Sequence, residues 1–231
     1  MVDGLDGAGK GVAVNALREW AESKEMKILD LRDYWKSNEG FPDVSEYDVI
    51  VSAEPTFTGT GKKIREKLIK NGTESSVKEI AEAFSQDRKE LYEKLIIPAL
   101  EKGKYVFQER GVVTSIVFQP TMGDSEVDVD YIKNMEGNKF CLEHSPDLLV
   151  IVLAEPEVVI ERASAREKQD DAIFEKVEFQ KNIKTIYESE WLKELFESKG
   201  SKVVYLDTNP PSTPEDTKKK IIDIFESVQS C

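Results

Sequence analysis

The chain contains little cysteine or histidine and has no long apolar run. Two cysteines, Cys141 and Cys231, stand far apart among 231 residues, and His144 is the single histidine. Two distant cysteines do not form the framework of a small secreted domain, and one histidine supplies neither a metal-ligand cluster nor a histidine-based triad. No apolar stretch approaches the length of about 20 residues that a membrane span requires. We therefore expect a cytoplasmic protein that does not insert into membranes.

Positive charge is also scarce in this sequence. There are 32 Lys and Arg residues against 45 Asp and Glu residues, which gives a formal net charge of −13 at pH 7. Binding to nucleic acid or to an anionic membrane surface requires an excess of Lys and Arg. The composition predicts neither partner, so an anionic ligand must be held by local positive charges.

The start of the chain has the spacing of a phosphate-binding loop, Gly-x-x-x-x-Gly-Lys, ending at Lys10. Glycines let successive N–H groups point inward at a polyphosphate, and the lysine adds a positive charge. A helical pattern follows from Val12, so the loop lies at a helix N-terminus, where the helix dipole favours an anion. The predicted phosphate-binding residues are Gly4, Gly7, Ala8, Gly9, Lys10 and Gly11.

Two features of this loop depart from the usual pattern. Gly11 occupies the position of the Ser or Thr whose hydroxyl normally ligates Mg²⁺. Only Met1, Val2 and Asp3 precede Gly4, so we expect the first strand to be truncated. A glycine-rich turn that matches by chance is the alternative interpretation.

Five apolar runs predict β-strands, and helical patterns separate them. The runs are Met26 to Leu31, Tyr47 to Ser52, Tyr105 to Gln108, Leu148 to Leu153 and Val203 to Leu206. Continuous apolar runs with long connections are typical of parallel strands covered by helices on both faces. We predict one α/β domain over residues 1–231, a doubly wound sheet of about five parallel strands. Ligands of such sheets bind at the carboxyl ends of the strands.

Charged residues follow two of the predicted strands. Glu54-Pro55 comes after the second run, and Glu109-Arg110 comes directly after the third. Glu109 is suited to bind a hydrated Mg²⁺, and the Arg110 guanidinium can grip a phosphate with two parallel hydrogen bonds. The alternatives are a surface turn at Glu54 and a salt-bridged strand end at Glu109.

Phe84 and Arg88 stand four residues apart on a helix predicted from about Val77 to Lys102. They therefore share one face, where the ring can stack on a nucleobase and the guanidinium can donate to it. Alternatively, Phe84 belongs to the core and Arg88 extends to solvent.

A charged segment of about residues 162–174 has the composition of a mobile lid. Arg162 and Arg166 lie on one helix face, and basic residues that close over a substrate would neutralise charge during phosphoryl transfer. A solvated helix end is the alternative.

These motifs, taken in chain order, resemble the thymidylate kinase family of nucleoside monophosphate kinases over nearly the whole chain. The similarity comprises the P-loop with Asp6, the Glu54-Pro55 pair, the Phe84-x-x-x-Arg88 spacing and Glu109-Arg110 in place of an Asp-Arg pair. The resemblance implies a P-loop NTPase-type fold, ATP as phosphoryl donor with Mg²⁺, and a pyrimidine deoxynucleoside monophosphate, dTMP, as acceptor. Members of the family are commonly dimers, so it also implies a homodimer.

The resemblance also implies a role for each site residue. Lys10, Arg110, Arg162 and Arg166 would be catalytic, and Glu109 would bind the metal through water. Acceptor-binding residues would be Asp6 at the sugar, then Glu54, Pro55, Phe84, Arg88, Arg110, Ser115, Phe118 and Gln119.

Other positions depart from the family pattern and leave the preferred base open. Ala53 replaces an arginine, Gly111 replaces a tyrosine or histidine, and Phe118 lacks the hydroxyl of a frequent tyrosine.

Two other functions remain alternatives. The Glu54-Pro55 and Glu109-Arg110 pairs are also similar to those of deoxynucleoside kinases, and Glu54 would then be the base. Gly11 with the short first strand allows a nucleotide-binding paralogue without turnover.

Overall fold

A computed structural model describes residues 1–69, 74–164 and 173–229, of which residues 163, 164 and 173–176 are described by their backbone. The strands in these ranges are β1 (Val2–Gly4), β2 (Ile28–Asp30), β3 (Val49–Ala53), β4 (Tyr105–Glu109), β5 (Leu148–Leu153) and β6 (Lys202–Asp207). The α-helices are α1 (Lys10–Ser23), α2 (Leu31–Tyr34), α3 (Gly59–Lys63), α4 (Val77–Leu91), α5 (Ile97–Glu101), α6 (Val112–Phe118), α7 (Val129–Asn134), α8 (Glu136–Glu143), α9 (Pro156–Ser164), α10 (Ile173–Tyr187), α11 (Glu190–Glu197) and α12 (Pro214–Gln229).

The chain divides into two compact units. The first unit comprises Met1–Leu17 and Pro146–Cys231, and the second comprises Arg18–Ser145. In the first unit β5 lies between β1 and β6, with Val2 opposite Val150 and Leu148 opposite Lys202. In the second unit β3 lies between β2 and β4, with Ile28 opposite Val49 and Val49 opposite Tyr105. These pairings are parallel, which confirms the predicted α/β class; the single domain stays a prediction.

The central strands of both units are apolar and buried, as their continuous runs predict. Val49, Ile50 and Val51 of β3 have no exposed surface, and neither do Leu149 and Ile151 of β5. A strand that is buried on both faces favours consecutive apolar residues rather than apolar residues at alternate positions. The strand β1 has only three residues and brings the number of strands among the described residues to six. It is stabilised by its parallel pairing with β5.

The helix predicted over residues 77–102 is interrupted. It starts as predicted, because Ser76 and Glu79 cap each other's backbone N–H groups in a capping box. It leaves α-helical geometry at Tyr92–Ile96, a π-helical turn that precedes α5. Pro98 in α5 has no N–H to donate, so a regular hydrogen-bond ladder cannot continue through it.

None of the described helices combines the length and the apolar content that crossing a bilayer requires.

Candidate functional site

The predicted phosphate-binding loop connects β1 to α1 in the first unit. Gly4 closes the strand with φ +133°, and a Cβ at this position would lie 2.0 Å from the carbonyl oxygen of Val152. Only glycine fits between the two strands at that point. The helix begins at Lys10, two residues before the predicted start, because the Ala13 N–H already donates to the Gly9 carbonyl at 3.1 Å. Lys10 and Gly11 therefore lie in the first turn of α1.

Lys10 is held against this loop. Its ammonium group donates to the carbonyl oxygens of Gly4 at 2.9 Å and Leu5 at 2.8 Å, and it lies 3.3 Å from a carboxylate oxygen of Asp6. The Lys10 side chain is 5% exposed, whereas that of Asp6 is 54% exposed. A buried positive charge therefore lies at the helix N-terminus, which is the arrangement that attracts a polyphosphate.

Arg162, at the end of α9, is the predicted lid arginine whose side chain the structure describes. Its Nη2 donates to the carbonyl oxygen of Thr208 at 2.7 Å, and Nη1 donates to the Thr208 hydroxyl at 3.3 Å. The Thr208 hydroxyl in turn donates to the carbonyl oxygen of Ala8 at 2.7 Å. Arg162 is thus connected to the phosphate-binding loop. Arg166 and most of the predicted lid lie outside the described residues.

Glu54 and Arg88 form a buried ion pair in the second unit. The Arg88 Nε donates to a Glu54 carboxylate oxygen at 2.7 Å, and the two side chains are 1% and 3% exposed. The second carboxylate oxygen of Glu54 accepts from Gln108 at 2.8 Å. Burial by itself lowers the pKa of Arg88, but the charge and hydrogen bond of Glu54, together with Cys141 and Tyr92, act in the other direction and the pKa is raised. The Arg88 guanidinium therefore stays charged in this buried position.

Three further acceptors surround the Arg88 guanidinium. Nη2 donates to the carbonyl oxygen of Gly111 at 3.2 Å and to the Ser115 hydroxyl at 3.1 Å, and Nη1 donates to the Asn138 side chain. The structure thus brings together the predicted residues Glu54, Arg88 and Ser115. With the bond to Glu54, these contacts use four of the five N–H groups of the guanidinium, so a nucleobase that binds Arg88 would use the fifth or compete with these acceptors.

The segment after β3, which holds Glu54 and Pro55, is fixed by two side chains. Asp87 on α4 accepts from the Thr56 N–H at 2.8 Å and from its hydroxyl at 2.6 Å. Arg65 donates to the carbonyl oxygens of Pro55 at 2.9 Å and Thr56 at 3.1 Å. These bonds satisfy a buried backbone that belongs to no regular element, so they determine where Glu54 lies.

Arg110 follows β4 in a conformation that is unusual for a residue with a side chain. Its φ is +65°, and its carbonyl oxygen accepts from Gln108 at 3.0 Å. Such a backbone costs free energy and persists only where surrounding contacts hold it, most often at functional sites. Arg110 is a candidate for that reason as well as for its guanidinium.

Glu109 is the predicted magnesium ligand. Its carboxylate is 23% exposed, and the guanidinium of Arg32 is 4.0 Å from it. Within the described ranges, no group of three or more His, Cys, Asp or Glu side chains could hold a metal ion. One partly exposed carboxylate fits a Mg²⁺ ion that keeps its water and uses substrate phosphates as its other ligands.

The remaining predicted acceptor residues differ in their surroundings. Phe84 is partly buried against Ile64, Leu68 and Ile80. Gln119 is 5% exposed, and among the described residues no group hydrogen bonds its side-chain oxygen. Phe84 can offer a ring edge to a ligand, and Gln119 can offer its side-chain oxygen as a hydrogen-bond acceptor.

Sequence reasoning missed several of these contacts. Asp87, Asn138 and Gln108 carry no motif signal, because each acts on a residue that is distant in the sequence. Thr208 had a usable signal, since it directly follows β6 and ligands bind where parallel strands end.

A family model described as Thymidylate kinase matches residues 39–221, downstream of the loop at residues 4–11. A probable thymidylate kinase of Thermococcus gammatolerans is 31% identical over 195 residues, covering 81% of this chain and 79% of that protein. A thymidylate kinase of Legionella pneumophila is 26% identical over 231 residues, covering 98% of this chain and 92% of that protein.

A crystal structure of thymidylate kinase from Ehrlichia chaffeensis superposes with a TM-score of 0.58 and covers 97% of both chains. The sequence identity is 16%. This similarity shows a shared fold.

Proposed function

The chain belongs to the thymidylate kinase family, and we propose that it transfers the γ-phosphoryl group of ATP to dTMP, forming dTDP and ADP. The observation that carries this proposal in the structure is the buried Lys10 ammonium at the N-terminus of α1. An acceptor phosphate oxygen is already a nucleophile, so catalysis requires in-line positioning and charge neutralisation rather than a covalent intermediate.

On the donor side, Lys10 and the N–H groups of residues 7–11 bind the ATP phosphates. Lys10 would exchange its present carbonyl acceptors for phosphate oxygens. Arg162 supplies positive charge as phosphate charge develops, and Arg166 is proposed to do the same. Backbone N–H groups and cations that are already in place pay no reorganisation cost during the reaction.

On the acceptor side, Arg110 grips the monophosphate and Phe84 stacks on the base. Ser115, Phe118 and Gln119 line the nucleotide on α6 and just beyond it, and Asp6 binds the sugar. The buried pair of Glu54 and Arg88 holds the segment with Pro55 and this helix together, since Arg88 contacts Ser115 and the Gly111 carbonyl. If Arg88 recognises the base directly, the N–H that now donates to Ser115 would donate to the base instead. This hydrogen bond, at 3.1 Å, is longer than the bond to Glu54 at 2.7 Å.

Magnesium would be held by Glu109 through water, and when bound it neutralises negative charge on the ATP phosphates. Gly11 supplies no hydroxyl ligand. We propose that Glu109 and the phosphates themselves provide the oxygen ligands that remain.

The test is ATP consumption by the purified protein with a panel of nucleoside monophosphates and deoxynucleosides, with and without Mg²⁺, and with the products identified. We expect dTDP from dTMP. Consumption of a deoxynucleoside would instead identify a deoxynucleoside kinase. No turnover with any acceptor would favour a nucleotide-binding paralogue.

Arg110 provides the test of the acceptor site. Arg110→Ala should raise KM for dTMP by about 100-fold, and Arg110→Lys should recover only part of this because an ammonium group lacks the planar fork. Steady-state kinetics with dTMP varied at saturating ATP measure the effect. Arg18→Ala, which removes a guanidinium from the exposed end of an ion-pair cluster, is the control. An unchanged KM for dTMP in Arg110→Ala would refute the assignment.

A further inference from the structure

Thr208, immediately after β6, contacts both the phosphate-binding loop and Arg162. It is 3% exposed. Its hydroxyl lies 2.7 Å from the carbonyl oxygen of Ala8 and 3.2 Å from that of Leu153. The Leu153 carbonyl already accepts the Thr208 N–H at 2.9 Å. Because a hydroxyl has one proton, we assign that proton to the shorter contact with Ala8.

The bond to Ala8 has a consequence for the next residue. A peptide group is planar and trans, so the Ala8 carbonyl and the Gly9 N–H point in opposite directions. Gly9 has φ +107°, and a Cβ there would meet no atom within 4 Å. Packing at Gly9 therefore does not restrain this peptide on its C-terminal side, and a glycine backbone can rotate easily. The Thr208 hydroxyl fixes the direction of the Gly9 N–H.

The same residue holds the Arg162 guanidinium. Nη2 donates to the Thr208 carbonyl oxygen at 2.7 Å and Nη1 donates to the Thr208 hydroxyl at 3.3 Å. Two neighbouring nitrogens bound to one residue fix the plane of the guanidinium as well as its position. The Thr208 backbone is itself held by its hydrogen bond to Leu153 of β5.

We propose that Thr208 is a positioning residue for phosphoryl transfer. It orients the Gly9 N–H for the ATP phosphates and holds Arg162 at the same loop, without touching the reacting atoms itself. A hydroxyl that accepts from a cation and donates onward polarises both bonds, so the two contacts support each other. This inference rests on the proposed function for its effect on turnover, whereas its effect on ATP affinity requires only that the loop binds ATP and not that dTMP is the acceptor.

The decisive variant is Thr208→Val, which keeps the shape of the side chain and removes the hydroxyl. We expect Kd and KM for ATP to rise about tenfold and kcat to fall about tenfold or more, because a small misplacement of catalytic groups is costly. Thr208→Ser should restore each value to within about threefold of the wild type, since it returns the hydroxyl. Thr208→Ala serves as the comparison if Thr208→Val does not fold.

The matched control is Thr217→Val. Thr217 is 4% exposed and lies in the same unit, and its hydroxyl donates at 3.2 Å to the carbonyl oxygen of Thr213, which directly precedes α12, rather than to the loop. Loss of this hydroxyl should alter thermal stability without changing Kd for ATP or kcat. If Thr208→Val keeps both values within about twofold of Thr217→Val, the positioning role is wrong.

A double-mutant cycle with Arg162→Ala separates the two contacts. The loss of kcat caused by Thr208→Val should be smaller when Arg162 is already absent, whereas the loss of ATP affinity should remain. Equal losses of kcat in both backgrounds would overturn the link through Arg162. If the wild type fails to convert dTMP, the proposed function is wrong, and the ATP affinity of Thr208→Val still decides the role of Thr208.

Discussion

At the scale of single residues, the ion pair between Glu54 and Arg88 combines stability with site geometry. Both side chains are almost fully buried, and the pair is surrounded by Gln108, Ser115 and Asn138. Removing one charge from such a pair leaves the other in a medium that solvates it poorly. The pair therefore makes Glu54 a structural residue as well as a candidate for the acceptor site.

Glu54→Gln should lower the free energy of unfolding by about 3 kcal/mol or more, because Arg88 keeps its buried charge without a counter-ion. Urea unfolding measures the loss. Glu90→Gln makes the same substitution in the exposed pair with Lys94, whose atoms lie 3.0 Å apart, and should cost about 0.5 kcal/mol or less. A similar loss in both variants would contradict the view that the buried pair is special.

At the scale of elements, α4 carries two carboxylates with opposite pH behaviour. Burial raises the pKa of Asp87 above 3.8, although its bonds to Thr56 act in the other direction. The hydrogen bonds from Ser76 lower the pKa of Glu79 below 4.5 at the start of the helix. Asp87 fixes the segment after β3, and Glu79 fixes the helix terminus.

The sign of each effect follows from proton binding. Between 3.8 and its raised pKa, Asp87 binds more protons when folded, so its contribution to stability falls as pH rises. Glu79 binds fewer protons when folded, so its contribution is present above 4.5 and is lost as pH falls through the lowered pKa.

We therefore expect the stability difference between the wild type and Asp87→Asn to shrink with rising pH, and the difference for Glu79→Gln to grow. Urea unfolding from about pH 3 to pH 7 tests both variants, and each serves as the control for the other. If the two stability differences changed with pH in the same direction, the direction of the pKa shift given for Asp87 or for Glu79 would be wrong.

At the scale of the whole molecule, ATP binding should stabilise the folded protein despite the net charge of −13. ATP at about 100 times its Kd adds about 2.7 kcal/mol to the free energy of unfolding by mass action. We propose that Lys10 supplies the local positive charge that makes this binding possible against the overall charge.

Lys10→Met should reduce the ATP-induced stabilisation to about half or less at the same ATP concentration, because a tenfold weaker Kd halves the logarithmic gain. Thermal unfolding with and without ATP, with Mg²⁺ present throughout, measures the difference. Lys193→Met, at an exposed pair with Glu190 on α11, should keep the full stabilisation. Full stabilisation in Lys10→Met would place the ATP phosphates elsewhere.

Much of the fold could be predicted because its signals are local. The apolar run of β5 matches the observed strand at both ends, and the other predicted strands differ from the observed ones by one or two residues at an end. The three-residue β1 was expected only as a truncated first strand because of the loop that follows it, since three residues carry no strand pattern of their own and the strand is stabilised by pairing with β5. The π-helical turn before Pro98 was missed because the helical pattern continues across it.

The candidate site was predictable only in part. Motif spacing placed Lys10, Glu54, Arg88 and Arg110 near strand ends or on one helix face. It could not assign their partners: Glu54 lies 34 residues from Arg88 in sequence, and Asn138 lies 50 residues from it. Arg88 does not reach solvent, because its side chain is 1% exposed and hydrogen bonds to protein groups, whereas its predicted contact with a base stays a prediction.

The sequence by itself determined the α/β class, the loop with its lysine, and the family, because strand and helix periodicity and glycine spacing depend on neighbouring residues. Only the tertiary structure decided which polar groups meet. Thr208 and Ala8 are 200 positions apart, and they come within hydrogen-bonding distance because β1 and β6 both pair with β5. A buried polar group needs a partner wherever the fold supplies one, and that choice is not encoded in the local pattern.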